Sequence, residues 1–179
     1  VSLTSLSSSD YSKIEELLDE LDEKYTCENL SLSLPSLRLD NFSIEMAEKV
    51  QKGRRSGLTF APEAGTQRLR DVINKGVTKE DLIRTSKKAF ESGWSNLKLY
   101  FMTGLPTETY EDLDGIVDLA YSVLNANREV NDGKLSPRFN VTVSTSVFVP
   151  KPNTPFQWFS QDSQETMKDK QQYLKAKLR

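Results

Sequence analysis

The chain has 179 residues, with 24 Lys and Arg against 26 Asp and Glu and a formal charge of -2. That length supports one domain with a sizeable core, and the near balance of charge argues against a nucleic-acid module held by a broad basic surface. There is no histidine and one cysteine, Cys27, which excludes Ser-His-Asp triads, His-ligated zinc and an internal disulfide. No apolar run approaches the roughly 20 residues of a membrane-spanning helix. The stretch "VSLTSLSSSDY" lacks the basic start and apolar core of a signal peptide, so a cytoplasmic setting is expected. The chain opens at Val1 in a strand-like segment and stops at Arg179 inside a helix pattern, and it reads as a piece of a longer protein.

In chain order, "VSLTSLSS" is a short strand candidate. "DYSKIEELLDELDEKY" sets Ile14, Leu17, Leu18, Leu21 and Tyr25 at helical spacing, and Ser12 with Glu15 forms a capping-box signature. "ENLSLSLP" alternates Leu30, Leu32 and Leu34 as a strand does, up to Pro35, and "SIEMAEKVQK" follows as a short helix. "GLTFAP" is a third strand, stopped by Pro62. "GTQRLRDVINKG" is a helix with Leu69, Val72 and Ile73 inward and Gly76 as its stop. "TKEDLIRTSKKAFESG" is a helix opened by Thr78 and Asp81 and closed by Gly93. "NLKLYFMT" is the most apolar strand. It ends in the corner "GLPTE" and a helix capped by Thr109 and Asp112, with Leu113, Ile116, Val117, Ala120 and Tyr121 as its buried stripe. "RFNVTVSTSVFVP" is the last strand. Pro150, Pro152 and Pro155 are expected to keep the next segment extended, and a final helix starts near Ser160.

Strict alternation of strand and helix predicts a parallel sheet with right-handed crossovers. No Gly-x-Gly-x-x-Gly follows a strand, which counts against a dinucleotide-binding fold, and five units are too few for a closed eight-stranded barrel. The fold class expected is therefore α/β, an incomplete parallel (βα) barrel. It covers residues 1–159, and 160–179 begin a C-terminal helix.

Ligands of parallel α/β folds sit at the C-terminal ends of the strands. The residues due there are Ser7 to Asp10, then Ser36, Arg38 and Asp40. Pro62, Glu63, Gly65 and Thr66 follow the third strand, and Thr103, Gly104, Pro106 and Glu108 the fourth. Ser144, Ser146 and Lys151 belong to the last strand. Each also has a plainer reading. Ser9 and Asp10 suit a helix cap, and Glu63 suits a solvated first-turn acid beside the helix dipole. Gly104-Leu-Pro suits a simple turn, and Arg38 and Asp40 suit a mutual pair. Phe156, Trp158 and Phe159 suit packing, and Cys27 suits a buried inert thiol. Asp40, Glu63 and Glu108 also raise a carboxylate-based hydrolase, but they lack metal-ligand spacing.

Taken together, "SLSLPSLRLDNF", "FAPEAGTQRLRDVINKGVTKEDL", "YFMTGLPTETYEDL" and "VFVPKPNTPFQW" resemble, in order and in register, the radical SAM superfamily, closest to its B12-binding members. The resemblance implies a partial (βα)6 barrel, related to the TIM barrel, of which this chain carries strands two to six. It implies S-adenosylmethionine and a 4Fe-4S cluster as cofactors, with cobalamin as a further cofactor of the parent protein. The cluster's three-cysteine loop is expected upstream of Val1, so the metal ligands are missing from this chain and it should be inactive alone. The implied cofactor-binding residues are Glu63 toward the ribose or methionine part, Arg38 toward the methionine carboxylate, Gly104 at the adenine floor, and Met102 and Phe148 as its apolar walls. "SLSSSDY" stands where the family has Gly-Gly-Glu, and Glu108 sits one residue late for the family's acid, so helix capping is expected of it. The parent would cleave S-adenosylmethionine reductively to a 5'-deoxyadenosyl radical or support cobalamin-dependent methyl transfer. The alternative is a cluster-free barrel serving as a binding or scaffold module. The substrate is unspecified. Neither membrane nor nucleic acid is indicated as a partner, and an open barrel edge invites self-association.

Overall fold

The computed structural model describes residues 11–25 and 57–179. The first two expected strands, the helix "SIEMAEKVQK", and Arg38, Asp40 and Cys27 lie outside the described residues.

The first described element is helix α1, Ile14–Tyr25, which buries Ile14 and Leu18. Then come β1 (Leu58–Glu63), α2 (Gln67–Val72), α3 (Lys79–Glu91), β2 (Asn96–Thr103), α4 (Tyr110–Val130), β3 (Asn140–Val147) and α5 (Gln164–Lys177). The three strands form one parallel sheet in the order β1-β2-β3, consistent with part of the expected barrel.

Side chains of a strand alternate between faces, and on β2 the two faces differ sharply. Leu97, Leu99 and Phe101 are buried against Leu113, Ile116 and Val123 of α4 and Leu82 and Phe90 of α3. Each such side chain contributes about 1.5–3 kcal/mol on burial. Lys98 and Tyr100 point to the opposite, open face, and Tyr100 remains 36% exposed.

The caps read from the sequence form as hydrogen bonds. The Thr78 N–H and hydroxyl donate to Asp81 at 3.1 and 2.7 Å, and Asp81 N–H donates back to the Thr78 hydroxyl at 3.1 Å. Thr109 donates from its N–H at 2.8 Å and its hydroxyl at 3.0 Å to Asp112. Gly93 (φ 87) follows the end of α3 as expected. Asn127 is buried at the end of α4 and holds the following loop through Ser136, at 3.1 and 3.0 Å.

Other expectations are corrected. β1 does not stop at Pro62 but runs to Glu63 through a bulge, since Phe60 faces Leu99 and Glu63 faces Phe101. Val72 and Tyr121 are exposed, at 39% and 49%, because α2 ends there and α4 turns Tyr121 to solvent. Asn74 (φ 55), not Gly76, supplies the left-handed residue that ends α2. The segment after Pro150 is not extended. It closes into turns, with Gln157 N–H on Thr154 O and Phe159 N–H on Phe156 O, both at 3.1 Å. The final helix begins at Gln164, capped by the Ser163 hydroxyl, which accepts from Thr166 N–H at 3.1 Å.

Candidate functional site: the rim at the strand ends

The first corner follows β1. Glu63 takes a left-handed conformation (φ 69) that a non-glycine side chain rarely adopts. Its surroundings hold it there. Gly65 lies directly on the backbone of α4, where a Cβ would stand 2.0 Å from Asp112 O and 2.4 Å from Ile116 N. Gly115 answers from the other side, 2.6 Å from Gly65 C by the same measure. Arg70, 3% exposed, donates to Ala64 O and Gly65 O at 3.0 Å and to Gln67 Oε1 at 3.1 Å. Its Nε has no partner, and burial lowers its pKa. Burial raises the pKa of Glu63, with Lys75 Nζ at 3.6 Å opposing that shift.

Asp112 ties this corner to the next. The Thr66 hydroxyl and the Arg68 guanidinium both donate to its carboxylate, and Arg68 also reaches Thr107 O at 2.9 Å. Burial pushes the Asp112 carboxyl up, but the hydrogen bonds from Thr66, Thr109 and Arg68 outweigh it and leave the pKa below its usual range.

The second corner follows β2. Gly104 (φ 79) and Thr107 (φ 67) make the turn, and the Glu108 carboxylate accepts from Gly104 N–H at 2.8 Å. Glu108 is therefore not a helix cap. It folds back into the corner and also receives Lys170 Nζ from α5, at 2.7 Å. The same ammonium donates to Asp162 at 2.7 Å, and the Lys170 and Glu108 side chains are 9% and 1% exposed. Burial alone would lower the Lys170 pKa. The hydrogen bonds and charges of Asp162 and Glu108 more than offset it, so the pKa is raised. The close approach that Gly104 permits is taken up by α5, since a Cβ there would stand 3.0 Å from Met167 Sδ and 3.2 Å from Asp162 Oδ2.

The third strand end joins the second through Phe148 N–H on Thr103 O at 2.8 Å. Between the corners lies an apolar cluster of Ala64, Leu69, Leu105 and Phe148, with Ile73, Met102 and Phe156 against it. Phe148 and Phe156 meet edge to face at 6.2 Å. Of the three aromatics after β3, only Phe156 joins this cluster, while Trp158 is 87% exposed and Phe159 47%.

Four of the five expected site residues thus occupy one rim. Glu63 and Gly104 stand at its two corners, and Met102 and Phe148 share its apolar patch; Arg38 lies outside the described residues. Glu63 and Glu108 each hold a lysine, which leaves no free carboxylate pair between them for hydrolysis. Sequence reasoning missed Lys170 and Arg70. A signal for Lys170 existed, since Met167, Lys170 and Leu174 are the buried stripe of α5, and a lysine inside such a stripe needs an acid partner.

A parallel α/β sheet of this kind places its strand-end rim where ligands of such folds bind. Residues 1–120 match the radical SAM superfamily. The chain is also similar to an uncharacterized protein of Methanocaldococcus jannaschii, 33% identical over 157 residues, covering 88% of this chain and 31% of that relative. The chain belongs to the radical SAM superfamily, whose members are enzymes of S-adenosylmethionine-dependent radical chemistry that use a 4Fe-4S cluster.

A cluster needs three thiolates and the chain has one cysteine. Among the described residues no group of three or more Cys, Asp or Glu is arranged to hold a metal, so this chain does not fit the cluster. Toward S-adenosylmethionine the rim offers a carboxylate acceptor at Glu63 and the partly buried Ile73, Met102 and Phe156 against the buried apolar cluster. Among the described residues no helix is long and apolar enough to cross a membrane.

Proposed function

We propose that this chain holds S-adenosylmethionine at the rim, within a longer radical SAM enzyme whose cluster thiolates come from polypeptide beyond these residues. What supports the reading is the convergence of Glu63, Gly104, Met102 and Phe148 at the ends of three parallel strands. Met102 and Phe148 wall the adenine, while the close approach at Gly104 that was expected to border it is filled by Met167 and Asp162. Glu63 accepts from a ribose hydroxyl or the ammonium group, and Arg38 meets the methionine carboxylate. Lys170 and Arg70 keep the two corners in shape. The family chemistry is reductive cleavage of S-adenosylmethionine; the likeness to B12-binding members adds cobalamin-dependent methyl transfer as a second branch, in a cytoplasmic enzyme. Among the described residues β1 and β3 are the outer strands, and an edge left unpaired there would be open to self-association.

The test uses the parent protein, reconstituted with iron and sulfide without oxygen and given a reductant and S-adenosylmethionine. The expected product is 5'-deoxyadenosine, lost when the cluster cysteines are changed to alanine. Phe148→Leu should weaken S-adenosylmethionine binding about tenfold, roughly 1.4 kcal/mol, at a stability cost on the order of 1–2 kcal/mol for the ring volume lost from the buried cluster. A parent that assembles no cluster would sink the enzyme reading and leave a barrel-shaped binding module.

A further inference from the structure

The most exposed large apolar side chain among the described residues is Trp158, at 87%, and the next is Val149, at 54%. Both belong to the stretch that leaves β3, and Phe159 beside Trp158 is exposed as well. The chain's other tryptophan, Trp94, is 3% exposed. Single apolar side chains at a surface are ordinary. Three on one short stretch, headed by a tryptophan that keeps little of itself from water, mark a contact surface.

The stretch is braced although it has no helix or strand. Thr154 Oγ1 donates to Lys151 O at 2.7 Å, and Asn153 N–H donates to Gln157 Oε1 at 3.1 Å. Phe156 is anchored in the rim cluster, and its ring meets Phe159 edge to face at 5.5 Å. Trp158 therefore stands between two held residues while its own ring faces solvent. A large, stiff side chain presented by a braced turn loses little freedom on contact, which is the character of an interface anchor.

The surroundings of Trp158 narrow the partner. From Val149 to Gln161, Lys151 is the one charged residue. A nucleic acid held by base stacking also needs a row of cations along its backbone, and this stretch supplies one. The three side chains expose on the order of 300–400 Å², at roughly 150–250 Å² for a whole aromatic side chain. A free-standing dimer needs about 800 Å² per partner. A tethered domain needs less, because its linker holds it at an effective concentration near millimolar. The archaeal relative has polypeptide for such a domain, since this chain covers 31% of its length.

We propose that Trp158, with Val149 and Phe159, is the docking anchor for a neighbouring domain of the same polypeptide, one that receives the indole in an uncharged apolar pocket. This rests on the parent being longer than these residues, and not on the cofactor at the rim. The test uses the parent protein without reductant or cofactor. Trp158→benzoylphenylalanine places a photo-cross-linker at the patch, and the products are mapped by mass spectrometry. Cross-links should join position 158 to the same chain outside residues 1–179, equally at low and high protein concentration. In the wild type, hydroxyl radicals should oxidise Trp158 about as slowly as the buried Trp94. Trp158→Ala should raise oxidation of Phe159 several-fold, as loss of a central anchor loosens a contact, and Trp158→Phe should raise it less. Oxidation of Trp158 in the parent as fast as in a free peptide of the same sequence overturns the assignment. So do cross-links confined to residues 1–179. Cross-linked dimers that grow with concentration overturn it in favour of a second copy, and protection removed by nuclease overturns it in favour of RNA. Formation of 5'-deoxyadenosine with Trp158 unprotected would sink the docking and leave the cofactor reading standing. Protection of Trp158 in a parent that makes no product would do the reverse.

Discussion

The two corners at the ends of β1 and β2 make similar turns by different means. Both need left-handed backbone, at Glu63 in the first and at Gly104 and Thr107 in the second. The first is fixed by contact of main chain on main chain, Gly65 on Gly115, and by Arg70 gripping two carbonyls. The second is fixed by charge, through a lysine 62 residues away from Glu108 in sequence. One corner therefore has no room for added volume, and the other has no tolerance for a lost cation. The first is complete once the Gly65 backbone lies on α4; the second also needs Lys170 from α5.

The largest expected effect tests the first half of that contrast. Gly65→Ala puts a Cβ 2.0 Å from a backbone oxygen that no rotamer change can move aside. It should cost about 4 kcal/mol or prevent folding, beyond the ordinary range for overpacking. Gly115→Ala should behave similarly. Gly76→Ala meets nothing within 4 Å and should be neutral or slightly stabilising. Chemical denaturation of the three variants decides the matter, and a mild Gly65→Ala would mean that the Gly65 backbone does not lie on α4 as described.

Lys170→Met tests the second half. It leaves Glu108 buried with only Gly104 N–H as a partner, and should cost roughly 3 kcal/mol. Adding Glu108→Gln should restore part of the loss, since the two residues act as one unit. The pH dependence has a definite sign. The folded pKa of Lys170 is raised, so its contribution is full below the unfolded value of about 10.4 and is lost as pH rises through the higher folded value. The wild type should therefore lose its advantage over Lys170→Met only in the strongly alkaline range. An advantage unchanged there would assign α5 docking to Met167 and Leu174 alone.

The same contrast explains what could be read from the sequence. Strand alternation in "NLKLYFMT" and the Thr-x-x-Asp caps are local, and they gave the three described strands and the starts of α3 and α4 their places. The rim residues were legible because the strand ends and the motif order point to one side of the sheet. Glu108 was misread because its partners, Gly104 N–H and Lys170, are set by the turn and by a remote helix rather than by helix position. Val72 and Tyr121 fit a helical stripe, but a six-residue helix and the limits of the α4 interface leave them outside. Asn74 replaced Gly76 as the α2 stop because asparagine also tolerates left-handed backbone, and nothing in the local sequence ranks the two.

Asp112 belongs to both corners and carries the smallest of these effects. It accepts from Thr109 in its own helix cap, from Thr66 at the start of α2, and from Arg68, which also holds Thr107 in the second corner. Asp112→Asn keeps the shape but removes the charge and turns one acceptor into a donor, which should cost about 2 kcal/mol at neutral pH. Its folded pKa is lowered, so the contribution is present above the unfolded value of about 3.9 and fades as pH falls through the folded one. The stability gap between wild type and Asp112→Asn should therefore close in strong acid. A gap that stays constant down to pH 2 would mean that Asp112 links the corners as a neutral acceptor and that Arg68 adds nothing. In that case charge would be confined to the second corner, and the difference between the two would be sharper than described.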